Sequence, residues 1–80
     1  MKFKTTNYFN AMRERPDRAH ILDEWIEFVI DNPVHEYVQA DGRIRRWAKI
    51  EAADGRYLRV ILLEDGETVH NTFFDRRFKE

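Results

Sequence analysis

The second half of this chain alternates runs of β-branched and aromatic residues with three Asp-Gly dipeptides, at positions 41–42, 54–55 and 65–66. An Asp-Gly pair between such runs is the strongest short-range signal for a tight β-hairpin. The pattern predicts an antiparallel meander whose four strands cover residues 35–40, 43–51, 56–64 and 67–74. The C-terminal tail, residues 75–80, is predicted to extend the last strand or to fray.

A helix is predicted immediately before these strands. Its apolar positions follow the i, i+3, i+4, i+7 spacing of one helix face: Leu22, Trp25, Ile26 and Val29. Asp17 is the predicted N-cap, and Pro33 ends the helix because proline cannot continue it. Residues 8–15 predict a short first helix that stops at Pro16.

The apolar arc of the main helix is wide, because Ile21, Phe28 and Ile30 extend it beyond half of the circumference. Such an arc indicates a helix covered on two sides. The sheet is one cover, and the other is either residues 3–15 or a second protein chain.

These elements predict an α+β fold with one or two N-terminal helices packed on one face of a four-stranded antiparallel β-meander. With 80 residues, the chain is predicted to form a single domain over residues 1–80, with room for one modest core. Cysteine is absent, so neither a disulfide framework nor a thiolate metal site is available.

Two-residue loops would fix which strand residues are opposite each other. Counting from the turns sets Val60 between Lys49 and Asn71, Leu58 between Glu51 and Phe73, and Leu62 between Trp47 and Val69. The helix side would then carry Val38, Trp47, Leu58, Val60, Leu62, Val69 and Phe73. The open side would carry Tyr37, Gln39, Arg46, Ala48, Arg59, Ile61, Leu63, His70, Thr72 and Phe74. A one-residue bulge would invert part of this assignment.

Charge and composition narrow the classes of function. The formal net charge is −1, so no global field steers the chain to nucleic acid, although Arg43, Arg45, Arg46 and Lys49 form a local basic cluster. The first residues lack the apolar run of a signal peptide, and no apolar run is long enough to cross a bilayer. A cytoplasmic location without membrane contact is predicted. No metal site and no cofactor are predicted, because no second ligand stands at metal spacing from a histidine and no glycine-rich phosphate loop occurs.

Five segments of the chain form a further pattern: residues 15–18, the Trp-bearing helix ending at residues 31–33, and residues 41–47, 57–60 and 65–71. Together they resemble a family of small, uncharacterised bacterial proteins that is similar to BrnT-type and RelE-type toxins. The resemblance implies helices packed on one side of a three- or four-stranded sheet and cleavage of free or ribosome-bound mRNA by basic and aromatic residues of the open face. The chain departs from this family at residues 7–13, which contain Arg13 but lack the early helical histidine of related domains.

Matched by position, the resemblance implies that Arg46, Arg59 and His70 are catalytic. Metal-free RNA cleavage needs a base, an acid and cations for the phosphate charge. His70 titrates near neutral pH, and the two arginines can clamp a phosphate. The predicted binding residues are Tyr37, Arg45, Trp47 and Lys49, with Tyr37, or Trp47 in another register, stacking on a base. The expected partners are RNA or the ribosome, and an antitoxin-like protein.

The alternative prediction is a non-catalytic module for protein interaction or homodimerisation. Its interface would consist of Ile61, Leu63, Phe74 and the exposed flank of the helix. On this interpretation His70 is a hydrogen-bonded strand residue and the arginines are paired with acids. The near-neutral charge favours this alternative, because RNA-binding domains are usually basic.

Overall fold

A five-stranded mixed sheet forms the centre of the protein. The computed structural model describes residues 3–80, and Met1 and Lys2 lie outside the described residues. The elements in chain order are β1 (Lys4–Thr5), α1 (Asn7–Met12), α2 (Asp23–Asp31), β2 (His35–Val38), β3 (Ile44–Ile50), β4 (Arg56–Leu62) and β5 (Thr68–Phe74). The strand order is β1-β5-β4-β3-β2.

The α+β class is confirmed, and the strand count differs from the prediction. β2 to β5 form the predicted antiparallel meander, whereas β1 adds a fifth strand parallel to β5, with Thr5 opposite Val69. A two-residue strand is too short to show a period-two pattern, so the sequence carried no signal for it.

A side-chain hydrogen bond marks the start of α1, and acidic residues mark the start of α2. The Thr6 hydroxyl accepts a hydrogen bond from the Phe9 amide and caps α1. The predicted cap for α2 is wrong, because α2 begins only after Leu22, with Asp23 and Glu24 in its first turn. Carboxylates there complement the helix dipole. The Asp17 carboxylate instead lies near the preceding and following arginines, in the turns that occupy residues 13–20.

The connection between β3 and β4 changes the predicted register. Residues Glu51–Ala53 form a 3-10 turn rather than continuing the strand. Asp54 and Gly55 follow in the left-handed region, with φ of 60° and 71°, and complete the reversal. The loop therefore contains more than the two residues assumed in the prediction, and β4 pairs with β3 three positions away from the predicted register.

A β-bulge changes the register a second time. Leu62 is opposite Val69 as predicted, but the next pair along is Ile61 with Asn71, so His70 is the extra residue. Val60 is therefore opposite Thr72 on one side and Arg46 on the other, instead of Asn71 and Lys49. The predicted partners of Leu58 are also wrong, and the observed ones are Ala48 and Phe74.

The loop between β2 and β3 is also one residue longer than assumed, so Tyr37 is opposite Arg45. The three shifts exchange residues between the faces, because side chains alternate along a strand. Trp47 and Phe73 lie on the open face, where Arg59 pairs with both, and not on the helix side as predicted. The residues moved in the other direction, from the predicted open face to the helix side, are Arg46, Ala48, Thr72 and Phe74.

The core lies between the helices and the inner face of the sheet. Leu58, Val60, Leu62 and Val69 are fully buried there, and they form one cluster with residues of both helices, Phe9, Ile26 and Val29. Burial of each such side chain contributes about 1.5–3 kcal/mol. Residues 3–15 supply part of the second cover predicted for α2, because Phe3 and Phe9 join the core cluster that contains Ile26 and Val29. Leu22 and Phe28 stay about half exposed, and cover by a second protein chain stays a prediction. None of the helices described over residues 3–80 is long and apolar enough to cross a membrane.

Candidate functional site

The open face of the sheet carries two rows of directly opposed residues. The first, named here the Arg45 row, runs across β2 to β5 and consists of Tyr37, Arg45, Ile61 and Asn71. The second, named the Trp47 row, consists of His35, Trp47, Arg59 and Phe73. Neighbouring members of a row lie on strands about 4.8 Å apart.

The C-terminal tail closes the Trp47 row. The Asp75 carboxylate accepts a hydrogen bond from Trp47 Nε1 (3.0 Å) and two from Arg59, at Nε (3.1 Å) and Nη2 (2.6 Å). Phe78 then stacks on Trp47 with ring centroids 4.9 Å apart and also contacts Tyr57. The prediction that residues 75–80 extend the strand holds at Asp75, whose backbone amide donates to the Tyr57 carbonyl (2.9 Å). Beyond Asp75 the tail leaves the strand, and Phe78 packs on the open face.

These contacts fix the charges of the closed row. Burial raises the pKa of Asp75, but hydrogen bonds from Trp47 and Arg59 outweigh it, and the pKa lies below its ordinary value. The ionised carboxylate therefore neutralises Arg59, whose guanidinium also lies 5.3 Å from the Trp47 ring and 4.7 Å from the Phe73 ring. Arg59, which was predicted to clamp a phosphate, is thus already paired with Asp75. Phe78 occupies the predicted stacking surface of Trp47.

The Arg45 row remains open to solvent. Arg45 Nε donates a 2.7 Å hydrogen bond to Gln39 Oε1, and its guanidinium lies 5.6 Å from the centroid of the Tyr37 ring. Gln39 is itself oriented by a hydrogen bond to Asp41. Within residues 3–80, no ion pair involves Arg45. This row therefore presents an oriented cation beside an aromatic ring that is 52% exposed.

His70 lies at the β5 end of the Arg45 row. Its Nδ1 is 3.1 Å from the Thr6 hydroxyl, and its ring stacks on Tyr8 with centroids 4.8 Å apart. Burial lowers the pKa of His70, and the positive charge of Arg43 lowers it further. The imidazole is therefore neutral at pH 7, a state in which one ring nitrogen donates and the other accepts a proton.

A second cation, Arg18, borders this end of the row. Arg18 Nη1 donates to Asn71 Oδ1 (2.8 Å) and to the Thr72 carbonyl (3.2 Å), and its guanidinium lies over the Phe73 ring. It also covers part of the β5 edge that β1 leaves unpaired. The first turn of α2, on the opposite side of the sheet, carries Asp23 and Glu24.

The structure brings together only part of the predicted site. Tyr37 and Arg45 are neighbours, and His70 lies in the bulge beside Asn71, the β5 member of their row. Arg46 lies on the helix side, where it pairs with Glu36 (2.7 Å) and donates to the Ile30 carbonyl (3.1 Å). The prediction that Arg46 shares a face with Arg59 and His70 is therefore wrong. Arg59 and Trp47 lie in the closed row, and Lys49 is exposed 3.6 Å from Glu51.

Sequence reasoning missed four residues that shape this face. Asp75 and Phe78 close the Trp47 row, and Thr6 and Tyr8 contact His70. A threonine before a helical segment is a readable capping signal. The contacts of the tail link positions far apart in the chain, and no local pattern indicates them.

The comparisons with known proteins do not assign the chain to a class. No protein-family model, no curated protein and no solved structure matches it. The resemblance to BrnT-type and RelE-type toxins therefore stays a prediction.

The stability of the protein should fall as the pH drops below 6.5, because of His70. The pKa of His70 is below its ordinary value of 6.5 in the folded state. The unfolded state therefore binds more protons in this range, and its population rises as the pH falls. Urea unfolding between neutral pH and the acid range should show this loss, and His70→Gln should reduce it. An unchanged pH dependence in His70→Gln would contradict the lowered pKa.

Proposed function

We propose that this protein is a small toxin-like, RNA-acting domain that binds single-stranded RNA on the Arg45 row. The observation that carries the proposal is the Arg45 guanidinium, held by Gln39 at 2.7 Å beside the exposed Tyr37 ring. A cation next to an aromatic ring matches the two parts of a single-stranded nucleotide, its phosphate and its base.

The far end of the row supplies the proton-transfer group of the proposed activity. A neutral imidazole at neutral pH can accept the proton of a ribose 2′-hydroxyl, and the lowered pKa of His70 favours that form. Tyr8, stacked on His70 and about half exposed, offers a second ring for a base. This set replaces Arg46 and Arg59, whose side chains are engaged with Glu36 and Asp75.

Arg45→Ala should weaken binding of a fluorescent single-stranded RNA about tenfold, equivalent to about 1.4 kcal/mol. Lys49→Ala is the matched control, because it removes an exposed cation of the same face that already lies near Glu51. Titrations at two salt concentrations should show a shallower salt dependence for Arg45→Ala. Equal loss in the two variants would contradict a specific role for Arg45.

Growth arrest on induction in bacteria separates the RNA-acting proposal from the non-catalytic alternative. We expect the native chain to arrest growth and His70→Ala to relieve the arrest while Lys49→Ala does not. The interface predicted for the alternative is divided by the sheet, because Ile61 lies on the open face and Phe74 packs against Trp25 on the helix side. Absence of arrest by the native chain would contradict the toxin-like proposal.

A further inference from the structure

β2 is an edge strand with free hydrogen-bonding groups. All four of its residues are exposed, including Tyr37 and Val38, which is 59% exposed. The backbone amide of Gln39 donates to the Arg43 carbonyl of the neighbouring chain segment. Gln39 and, by alternation, Tyr37 therefore direct their backbone groups into the sheet. The amide and carbonyl groups of Glu36 and Val38 therefore point away from the sheet.

This edge lacks most of the features that prevent strand pairing. Proteins protect edges with lysine, proline, bulges or a covering element. β2 contains neither lysine nor proline, and the Glu36 carboxylate is held by Arg46 on the helix side. At the other end of the sheet, β1 pairs with β5, the Thr6 backbone amide donates to the Val69 carbonyl, and the Arg18 side chain donates to the Thr72 carbonyl.

We propose that two copies of this chain pair antiparallel through β2, with Tyr37 opposite Tyr37 of the other copy. Glu36 of each copy is then opposite Val38 of the other copy, which gives two hydrogen-bonded pairs. Each such pair exchanges both backbone hydrogen bonds, so the outward groups of both residues are satisfied. The two sheets become one continuous sheet.

Other pairing registers are less favourable for the charges and backbone hydrogen bonds of this edge. Moving the pairing by two residues in one direction sets Glu36 opposite Glu36 of the other copy, and directly opposed like charges are destabilising. Moving it in the other direction sets Val38 opposite itself and pairs Glu36 with Ala40, which lies beyond the end of β2. The central register places the two Tyr37 rings side by side in a non-hydrogen-bonded pair, where cross-strand side chains are closest.

The charges around β2 favour a second copy of this chain as its pairing partner. The charge of each Glu36 is neutralised within its own chain, and each Arg45 lies over its own Tyr37 ring. The two Arg45 residues are then separated by three strand spacings, about 14 Å, which exceeds the screening length of about 8 Å at physiological salt. The pairing joins two Arg45 rows into one, although it stands independently of the proposed function.

The absence of cysteine allows a register test by disulfide trapping. Cα atoms of a non-hydrogen-bonded pair lie about 4.5 Å apart, within the span of a disulfide, whereas diagonal neighbours lie about 7–8 Å apart. Under mild oxidation Tyr37→Cys should become a crosslinked dimer, and Glu36→Cys and Val38→Cys should stay largely uncrosslinked. Preferential crosslinking of Glu36→Cys or Val38→Cys, or of none of the three, would overturn the proposal.

The oligomeric state gives a second test that needs no crosslink. Val38→Pro removes an outward amide and leaves the inward hydrogen bonds intact, and Val38→Thr changes the side chain but keeps the amide. In sedimentation equilibrium the native chain and Val38→Thr should be dimers, and Val38→Pro a folded monomer by circular dichroism. A monomeric native chain, or a dimeric Val38→Pro, would overturn the proposal. If Val38→Pro does not fold, the cysteine series decides.

Discussion

Asp75→Ala should destabilise the protein by about 3 kcal/mol, because it leaves the Arg59 guanidinium half-buried without its counterion. The Asp75 side chain is only 8% exposed and accepts hydrogen bonds from both Trp47 and Arg59. Loss of one partner of a buried pair costs more than the pair itself contributes, since the remaining charge stays desolvated. For a domain of this size the melting temperature should fall by more than about 10 °C.

Two further variants separate the charge effect from general disruption of the tail. Arg59→Met combined with Asp75→Ala removes both charges and should be more stable than Asp75→Ala alone. Arg77→Ala alters an exposed tail residue and should change the free energy of unfolding by less than about 0.5 kcal/mol. Urea unfolding followed by tryptophan fluorescence measures all three. An Asp75→Ala protein as stable as Arg77→Ala would contradict the network.

The network also determines which part of the open face is available to a ligand. With Asp75 in place, Arg59 is neutralised and Phe78 covers Trp47. Among residues 3–80, no such cover lies on the exposed Tyr37 of the Arg45 row, and no ion pair neutralises Arg45. The division of one sheet face into a closed and an open half follows from the side chains of the tail rather than from the strands.

Local patterns were sufficient for the main helix and the four strands of the meander, but not for β1 or for the register. The Asp-Gly turns, the apolar spacing of α2 and the strand at each run are all predicted, since each depends on neighbours in sequence. Arg45 and Arg46 show the limit, because the turn at Glu51–Ala53 reverses which of them faces α2. A strand has a period of two, so a single unrecognised loop residue exchanges a residue of the open face for one that faces the helices.

The candidate site was predictable in composition more than in arrangement. The basic cluster on β3 and the presence of Tyr37 and His70 were readable, and the structure places Tyr37 opposite Arg45 and His70 in the bulge beside Asn71 of the same row. The contact of His70 with Thr6 joins residues 64 positions apart, and it depends on the bulge that follows Val69. Contacts at such separation are fixed by packing of the whole chain, which no window of sequence contains.

Phe9→Ala should destabilise the protein by about 3–5 kcal/mol, the usual cost of truncating a buried phenylalanine to alanine. Phe9 is 1% exposed and meets Phe3 edge to face at 6.5 Å. It is the one buried residue of α1, so it anchors that helix to the core. Because α1 and its cap position Tyr8 and Thr6 against His70, the substitution should also release the imidazole and move its pKa towards the ordinary value.

Tyr8→Ala provides the matched control, since Tyr8 is the preceding residue of the same helix and is 49% exposed. Its loss removes the stacking on His70 but leaves the core intact, and should cost no more than about 1.5 kcal/mol. Urea unfolding gives the two stabilities, and proton NMR of the His70 ring gives its pKa in each variant. If Phe9→Ala were no less stable than Tyr8→Ala, α1 would not be anchored by its buried face. The arrangement of Thr6 and Tyr8 around His70 would then need another support.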